Sequence, residues 1–286
     1  MISVIIPALN EERAIAHTVR SVQAVLEGAA LAGSELIVVD DGSSDETARA
    51  ASELGARVVR HPHNLGYGRA LKTGIDAARH DTIVILDADG TYPAGDIPKL
   101  VQTYERGFDM VVGARSGKAF RGTLLKTLLR QVLKALVEFT TGRRVPDVNS
   151  GLRVFSRGTV RPYFAHLCDT FSFTTSLTLA YMMTGRFVTH VPIDYVERIG
   201  DTKVRLFRDA LRTLQYIVQA IAYYNPIKLF LLLAAAAAII TLLAMLAAIP
   251  AGAPFVLLIF VIGAVGAISL FGLGLVADVL KQIMHK

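Results

Sequence analysis

The sequence predicts an α/β domain of doubly wound, Rossmann-like type over residues 1–203, an amphipathic interface helix over 204–225 and a transmembrane hairpin over 226–286. Three observations carry this. Short Val/Ile runs alternate with segments of helical spacing in the first half. Acid-rich polar clusters follow those runs directly. The apolar excess of the chain, 52% hydrophobic residues with a mean hydropathy of +0.46, is concentrated after Asn225.

Taken in order, 2–6 is a β-rich run, and 11–26 is helical with Ile15, Val19, Val22 and Leu26 on one face. Residues 35–39 read as a second strand and 45–54 as a second helix. A short strand at 57–60 precedes a helix at 67–78. A strand at 82–86, a helix at 97–106 and a strand at 109–113 complete the alternation. Strands unbroken by polar residues are buried on both faces, which predicts a parallel sheet. Ligands of such sheets bind beyond the carboxyl ends of the strands. Pro7 to Glu12, Asp40 to Asp45 and Asp87 to Thr91 all fall there.

The middle of the chain changes character. Residues 122–141 are helical, with Leu125, Leu128, Leu129, Val132, Leu136 and Val137 on one side. Lys126, Arg130 and Lys134 form a stripe at four-residue spacing, which suits either a solvated face or a phosphate ligand. Residues 145–155 read as a turn entering a strand, and 187–196 as a further strand. Residues 204–219 form a second basic amphipathic helix. Val204, Phe207, Leu211, Leu214 and Val218 oppose Arg205, Arg208 and Arg212, as in a helix lying in a membrane interface.

Residues 229–249 contain nothing charged and only Thr241 polar; residues 255–277 contain only Ser269 as a hydroxyl-bearing residue. Each run is long enough to cross a hydrocarbon core of about 30 Å at about 1.5 Å per residue. The short link at 250–254 makes them a hairpin. Lys228, Lys281 and Lys286 lie on one side of it, which predicts a cytoplasmic face for the preceding domain. No secretory leader is expected before the first strand. The lone Cys168 rules out an internal disulfide and suits a reducing compartment. The net charge of +6, carried largely between Arg115 and Arg212, suits phosphate ligands or an anionic membrane surface, and no nucleic acid partner is expected. Gly263, Gly266, Gly272 and Gly274 allow close helix packing, so a homo-oligomer is an open expectation.

Two carboxylates two residues apart at a strand end, Asp87 and Asp89, can share a divalent cation that keeps substrate phosphates as its other ligands. Asp40 and Asp41 face the same rim. They can accept hydrogen bonds from a nucleobase or ribose, while Ser44 or Asp45 caps the next helix.

With these residues in place the chain resembles a family. Pro-x-x-Asn-Glu (Pro7 to Glu11), Asp-Asp-Gly-Ser-x-Asp (Asp40 to Asp45), Asn-x-Gly (Asn64 to Gly66) and Asp-Ala-Asp (Asp87 to Asp89) resemble inverting family 2 glycosyltransferases of the GT-A fold. Gly-Ala-Arg (Gly113 to Arg115) and Asn-Ser-Gly-Leu-Arg (Asn149 to Arg153) are similar to dolichyl- and polyprenyl-phosphate sugar synthases. The hairpin resembles that of the bacterial two-span members. The resemblance implies that Pro7, Leu9, Glu11, Asp40, Asp41, Lys72, Asp87, Ala88, Asp89 and Arg198 bind the nucleotide-sugar. It implies Asp87, Asp89 and Thr91 as ligands of Mg²⁺ or Mn²⁺. Arg115, Arg130, Lys134, Asn149, Ser150 and Arg153 would meet the acceptor phosphate. Asp89, Arg115, Arg130 and Asp147 would be catalytic, with Asp147 or Asp89 as a candidate base.

The expected partners are a GDP- or UDP-hexose, a dolichyl or undecaprenyl phosphate, and the cell (inner) membrane, with the chain multi-pass and its catalytic domain cytoplasmic. Gly90-Thr91 departs from the Leu-Gln that commonly follows Asp-Ala-Asp in mannosyl members, which loosens the inference to GDP-mannose. The chain has no tryptophan, so the Gln-x-x-Arg-Trp motif of processive synthases is absent. A different lipid or glycan acceptor, and a silent nucleotide-sugar-binding scaffold, are the competing readings.

Overall fold

The computed structural model describes residues 1–28, 31–117, 124–199 and 206–284, with the side chains of 124–126, 206–209 and 284 left aside. The chain divides into two compact units, Met1–Ile217 and Val218–Lys286.

The first unit is built on a sheet that has seven strands among the described residues, in the order β3-β2-β1-β4-β6-β5-β7. The strands are β1 (Ser3–Ala8), β2 (Glu35–Asp40), β3 (Arg57–Arg60), β4 (Thr82–Ile85), β5 (Met110–Ser116), β6 (Arg153–Ser156) and β7 (Val188–Asp194). β1, β2, β3 and β4 are parallel, and β5 pairs parallel with β7. β6 runs antiparallel to both β4 and β5. The expectation of a parallel sheet is therefore corrected: the sheet is mixed, because the 145–155 turn brings the chain back between β4 and β5 in the reverse sense.

The helices are α1 (Glu12–Leu26), α2 (Thr47–Glu53), α3 (Tyr67–Ala77), α4 (Ile97–Tyr104), α5 (Leu124–Thr141), α6 (Arg157–Val160), α7 (Phe173–Met183), α8 (Leu206–Tyr224), α9 (Pro226–Ala248) and α10 (Ala253–Met284). The core follows from the strand period of two. Ile2, Val4, Ile6 and Val38 pack with Ile15, Val19 and Val22 of α1 and with Ile97 and Leu100 of α4. Removing such a side chain costs about 2–5 kcal/mol, because the site cannot collapse around the gap. α7 was not anticipated. Its residues from Phe173 to Met182 are all buried, so it lacks the polar face that periodicity detects.

Register sets the rim. Ala8 pairs with Asp40 at the ends of β1 and β2, and Leu86 N donates to Ile5 O beside the end of β4. The three polar clusters thus leave the sheet side by side.

In the second unit, α9 begins at Pro226 behind Asn225, whose side chain accepts from Lys228 N. A Cβ on Gly263 would collide with Thr241, and one on Gly274 with Phe230, so these two glycines let α9 and α10 approach closely. Gly266 and Gly272 meet no such neighbour. Both helices are long and apolar enough to cross a membrane. Side chains such as Ile240, Leu243, Ile262 and Ile268 are exposed along them, as suits hydrocarbon rather than water.

Candidate active site

The first acidic pair closes a loop. Asp40 is fully buried; its Oδ1 accepts from Ser43 N at 3.1 Å and its Oδ2 lies 3.1 Å from Arg60 Nε. Asp41 Oδ1 accepts from Leu65 N (2.9 Å) and sits 2.7 Å from His61 Nδ1, while Oδ2 accepts from Gly66 N (2.8 Å). Asn10 Oδ1 accepts from Ser44 N at 2.8 Å, and Glu11 N donates to Thr47 Oγ1 at 2.8 Å. The clusters after β1 and β2 therefore order each other. Asp45 Oδ1 accepts from Thr47 N, capping the start of α2.

The second pair is arranged differently. Asp87 accepts from the Tyr67 hydroxyl at 2.7 Å. Burial, and then the negative charge of Asp89, push the Asp87 carboxyl up to about 6, against the opposing pull of Tyr67, Arg115 and Arg198. Asp89 Oδ1 accepts from Thr91 N (3.1 Å) and Thr91 Oγ1 (2.6 Å). Gly90, at φ 74°, makes this fold-back possible because the left-handed region is cheap only for glycine. The segment after β7 then crosses over the motif: Val196 N donates to Thr91 O, and Ile199 N to Asp89 O, both at 3.1 Å.

Arg198 is held there, with one terminal nitrogen 2.9 Å from Glu11 Oε1 and the other 3.4 Å from Asp89 Oδ2. Its Nε is buried without a hydrogen-bond partner among the described residues. Gly151 lies directly against the Asp87 carboxylate, where a Cβ would collide with it, and Gly151 N donates to Tyr92 Oη at 2.7 Å. The Asn-Ser-Gly motif thus supplies the floor beneath Asp87.

Arg115 and Asp147 form a two-pronged pair, Nε to Oδ2 at 2.7 Å and a terminal nitrogen to Oδ1 at 2.8 Å. Arg115 N adds a third bond to Oδ2 at 3.1 Å. Burial works to raise the Asp147 carboxyl, but the bonds and charge of Arg115 outweigh it and hold Asp147 below the usual carboxylate range. The Arg115 guanidinium also lies 5.5 Å from the centre of the Tyr195 ring. On α5, burial and the nearby Arg115 lower the proton affinity of Arg130, and Lys134 Nζ lies 3.8 Å from Glu138.

A cleft of about 570 Å³ gathers these groups. Pro7, Leu9, Glu11, Asp41, Asp87, Ala88, Asp89, Arg115, Arg130, Lys134, Asp147, Asn149 and Arg198 all line it. Leu129, Leu133 and Ile217 add an apolar wall.

Five expected site residues are not among those that line this cleft. Asp40 is turned into its own loop. Lys72 Nζ donates to Leu167 O and to Asp169, both at 2.7 Å, which ties α3 to the loop before α7. Thr91 is buried and orients Asp89. Ser150 Oγ donates to Gly113 O, away from the cleft. Arg153 is fully buried, donating to Ser150 O, Val148 O and Thr178 Oγ1. Lys126, Arg205 and Arg208 lie outside the described side chains. Sequence reasoning missed Tyr67, Phe171, Thr174 and Tyr195, which also line the cleft. Tyr67 follows the Asn-x-Gly turn directly and could have been found from that position.

An acid pair, the partly buried Arg115 and Arg198 and the ordered loops after β1 and β2 meet at the carboxyl rim of the sheet. The chain belongs to glycosyl transferase family 2, whose family model matches residues 3–164. It is 29% identical over 245 residues to an undecaprenyl-phosphate 4-deoxy-4-formamido-L-arabinose transferase of Salmonella paratyphi A, covering 83% of this chain and 72% of that one. Among solved structures it is similar to glucosyl-3-phosphoglycerate synthase of Mycobacterium tuberculosis. In complex with phosphoglyceric acid that enzyme matches at 26% identity and a TM-score of 0.64, over 77% of this chain and 79% of that one. Its complex with Mn²⁺, UDP and glucosyl-3-phosphoglycerate matches at 25% identity, with the same TM-score and coverage. The sheet and its helices are those of the GT-A fold.

Proposed function

We propose that this enzyme transfers a hexose or related sugar from a nucleoside-diphosphate sugar to a polyprenyl phosphate, with inversion at the anomeric carbon. The observation that carries the reading is the composition of one cleft: a carboxylate pair, a cluster of cations and an apolar wall meet in it. The 29% identity to an undecaprenyl-phosphate sugar transferase and the two membrane-length helices support the lipid acceptor.

The residues fit a divalent cation. No group of three or more His, Cys, Asp or Glu side chains gathers among the described residues, so the protein side offers two carboxylates, as Mg²⁺ or Mn²⁺ accepts when phosphate oxygens and water complete the shell. Asp87 and Asp89 would hold it, and it would neutralise charge on the diphosphate leaving group. Pro7, Leu9, Glu11 and Asp41 bind the nucleotide. Arg198, which lines the cleft beside Asp89, pairs with the diphosphate. Arg115 and Arg130 orient the acceptor phosphate, with Lys134 and Asn149 beside them. An acceptor phosphate oxygen forms the new bond to the anomeric carbon as the bond to the diphosphate oxygen breaks on the opposite face. A phosphate monoester has a second pKa of about 6 and arrives largely dianionic, so it needs no strong base. Asp147, clamped by Arg115 and acid-shifted, holds that arginine in place rather than taking a proton. The catalytic domain faces the cytoplasm and the hairpin anchors it in the cell membrane, in keeping with the lysines at one end of the spans.

The test is a donor screen with the purified protein, Mn²⁺ or Mg²⁺, undecaprenyl phosphate, and labelled UDP- and GDP-sugars. The expected result is an organic-extractable sugar lipid with at least one donor, lost in Arg130→Ala. A product in which the anomeric configuration is retained would contradict the single displacement.

A further inference from the structure

Tyr67 opens α3 at the cleft wall, and its hydroxyl makes the one hydrogen bond that reaches the Asp87 carboxylate among the described residues, at 2.7 Å to Oδ1. Its ring is not loose. It stacks on Phe171, with centroids 5.7 Å apart and planes 16° apart. Phe171 lines the same cleft while remaining 45% exposed. The two ring-bearing segments are stapled together behind the stack. Arg69 N donates to Asp169 O at 3.0 Å, and the buried Lys72 bonds both Leu167 O and Asp169. On its other side the Asp87 carboxylate rests on Gly151. Asp87 is therefore held between a fixed hydroxyl and a bare backbone position, while Thr91 fixes its partner Asp89.

We propose that Tyr67 is a positioning residue for divalent-cation binding, with Phe171 as its lock: together they fix the Asp87 carboxylate so that the pair with Asp89 is formed before the cation arrives. The physical basis is general. A carboxylate that must be caught from several rotamers binds a cation more weakly than one already oriented, and partners behind metal ligands commonly matter for affinity. The proposal rests on the reading of Asp87 and Asp89 as the cation pair and is independent of the acceptor.

The experiment is a Mn²⁺ titration followed by electron paramagnetic resonance, on the full-length protein in detergent with saturating UDP. It compares wild type with Tyr67→Phe, Phe171→Leu and Asp87→Asn. Tyr67→Phe keeps the ring and removes only the hydroxyl. It is expected to weaken Mn²⁺ binding about tenfold, with the melting temperature and metal-free UDP affinity unchanged. Phe171→Leu keeps the hydroxyl but frees the ring, for a smaller loss of about threefold. Asp87→Asn is expected to abolish tight Mn²⁺ binding. Wild-type Mn²⁺ affinity in Tyr67→Phe, beside a loss in Asp87→Asn, overturns the role of Tyr67 alone. A Tyr67→Phe variant that changes only the KM for the donor sugar overturns it too, because the hydroxyl then touches substrate. Wild-type Mn²⁺ affinity in Asp87→Asn, or no Mn²⁺ binding by the wild type, overturns the proposal together with the cation reading. Should Tyr67→Phe fail to fold, unchanged Mn²⁺ affinity in Phe171→Leu decides against the proposal.

Discussion

Asp40-Asp41 follow β2 and Asp87-Ala88-Asp89 follow β4, on either side of β1 in the sheet, yet their carboxylates are partnered differently. Around the first pair, Ser43 N, Arg60, Leu65 N, Gly66 N and His61 converge on the carboxylates. Around the second, Asp87 has one hydroxyl donor, and Asp89 has Thr91 on one oxygen with Arg198 3.4 Å from the other. At the first pair the loop supplies most of the donors, while Asp40 Oδ2 has only the ion pair to Arg60 among the described residues. At the second, burial first and the neighbouring Asp89 charge second push the Asp87 carboxyl up to about 6. A surplus of buried negative charge is unfavourable by itself and favourable only where a cation completes it. On the proposed reading the first pair builds the loop that would hold the nucleotide, and the second would hold the cation.

The sharpest way to break this contrast is Asp89→Ala. It is expected to lower kcat/KM by on the order of 10²–10³-fold with little change in melting temperature, read by transfer of labelled sugar and by thermal denaturation. A loss below tenfold would make the two pairs alike. Next in size is a pH effect. The folded-state value for Asp87 lies above its ordinary one, so the folded protein keeps that proton to higher pH. Mn²⁺ competes with it, and Mn²⁺ affinity is expected to fall up to tenfold per pH unit below about 6 and level off above. The same sign makes this group's contribution to the stability of the metal-free protein largest below the unfolded value near 3.8, lost as pH rises through about 6. A Mn²⁺ affinity that stays flat from acid to neutral pH contradicts the shift.

Asp41→Asn inverts the pattern. It weakens a carboxylate that orders the 61–66 loop, and is expected to destabilise the fold by about 1–3 kcal/mol in chemical denaturation, with a higher donor KM and a nearly unchanged kcat. Smallest is Thr91→Val, which removes one hydroxyl bond to Asp89 and leaves the backbone bond. About a fivefold drop in kcat is expected, measured at saturating donor.

Much of this arrangement was legible in the sequence, because short-range patterns encode it. Val/Ile runs gave β1, β2 and β4, and helical spacing gave α1 and α3 close to their true ends. Other features depend on long-range pairing. Nothing local in Arg153-Val-Phe-Ser says that β6 runs against its neighbours. Arg153 looks like a phosphate ligand in a motif, but in the fold its guanidinium fills a buried space among carbonyls and Thr178. Lys72 likewise answers to Asp169, a partner 97 positions away. Tyr67 had a local signal, its place directly after the Asn-x-Gly turn, but its bond to Asp87 is made across 20 positions.

The claim that gathers these observations is that the sugar goes to a lipid phosphate. The structural similarity to glucosyl-3-phosphoglycerate synthase offers the direct rival, a small soluble phosphorylated acceptor. The deciding measurement is a competition assay in which the enzyme, Mn²⁺ and a productive labelled nucleotide-sugar meet undecaprenyl phosphate and 3-phosphoglycerate in one reaction. The expected result is label in the organic phase, at a rate unaffected by excess 3-phosphoglycerate. Label confined to the aqueous phase as glucosyl-3-phosphoglycerate or its analogue would contradict it.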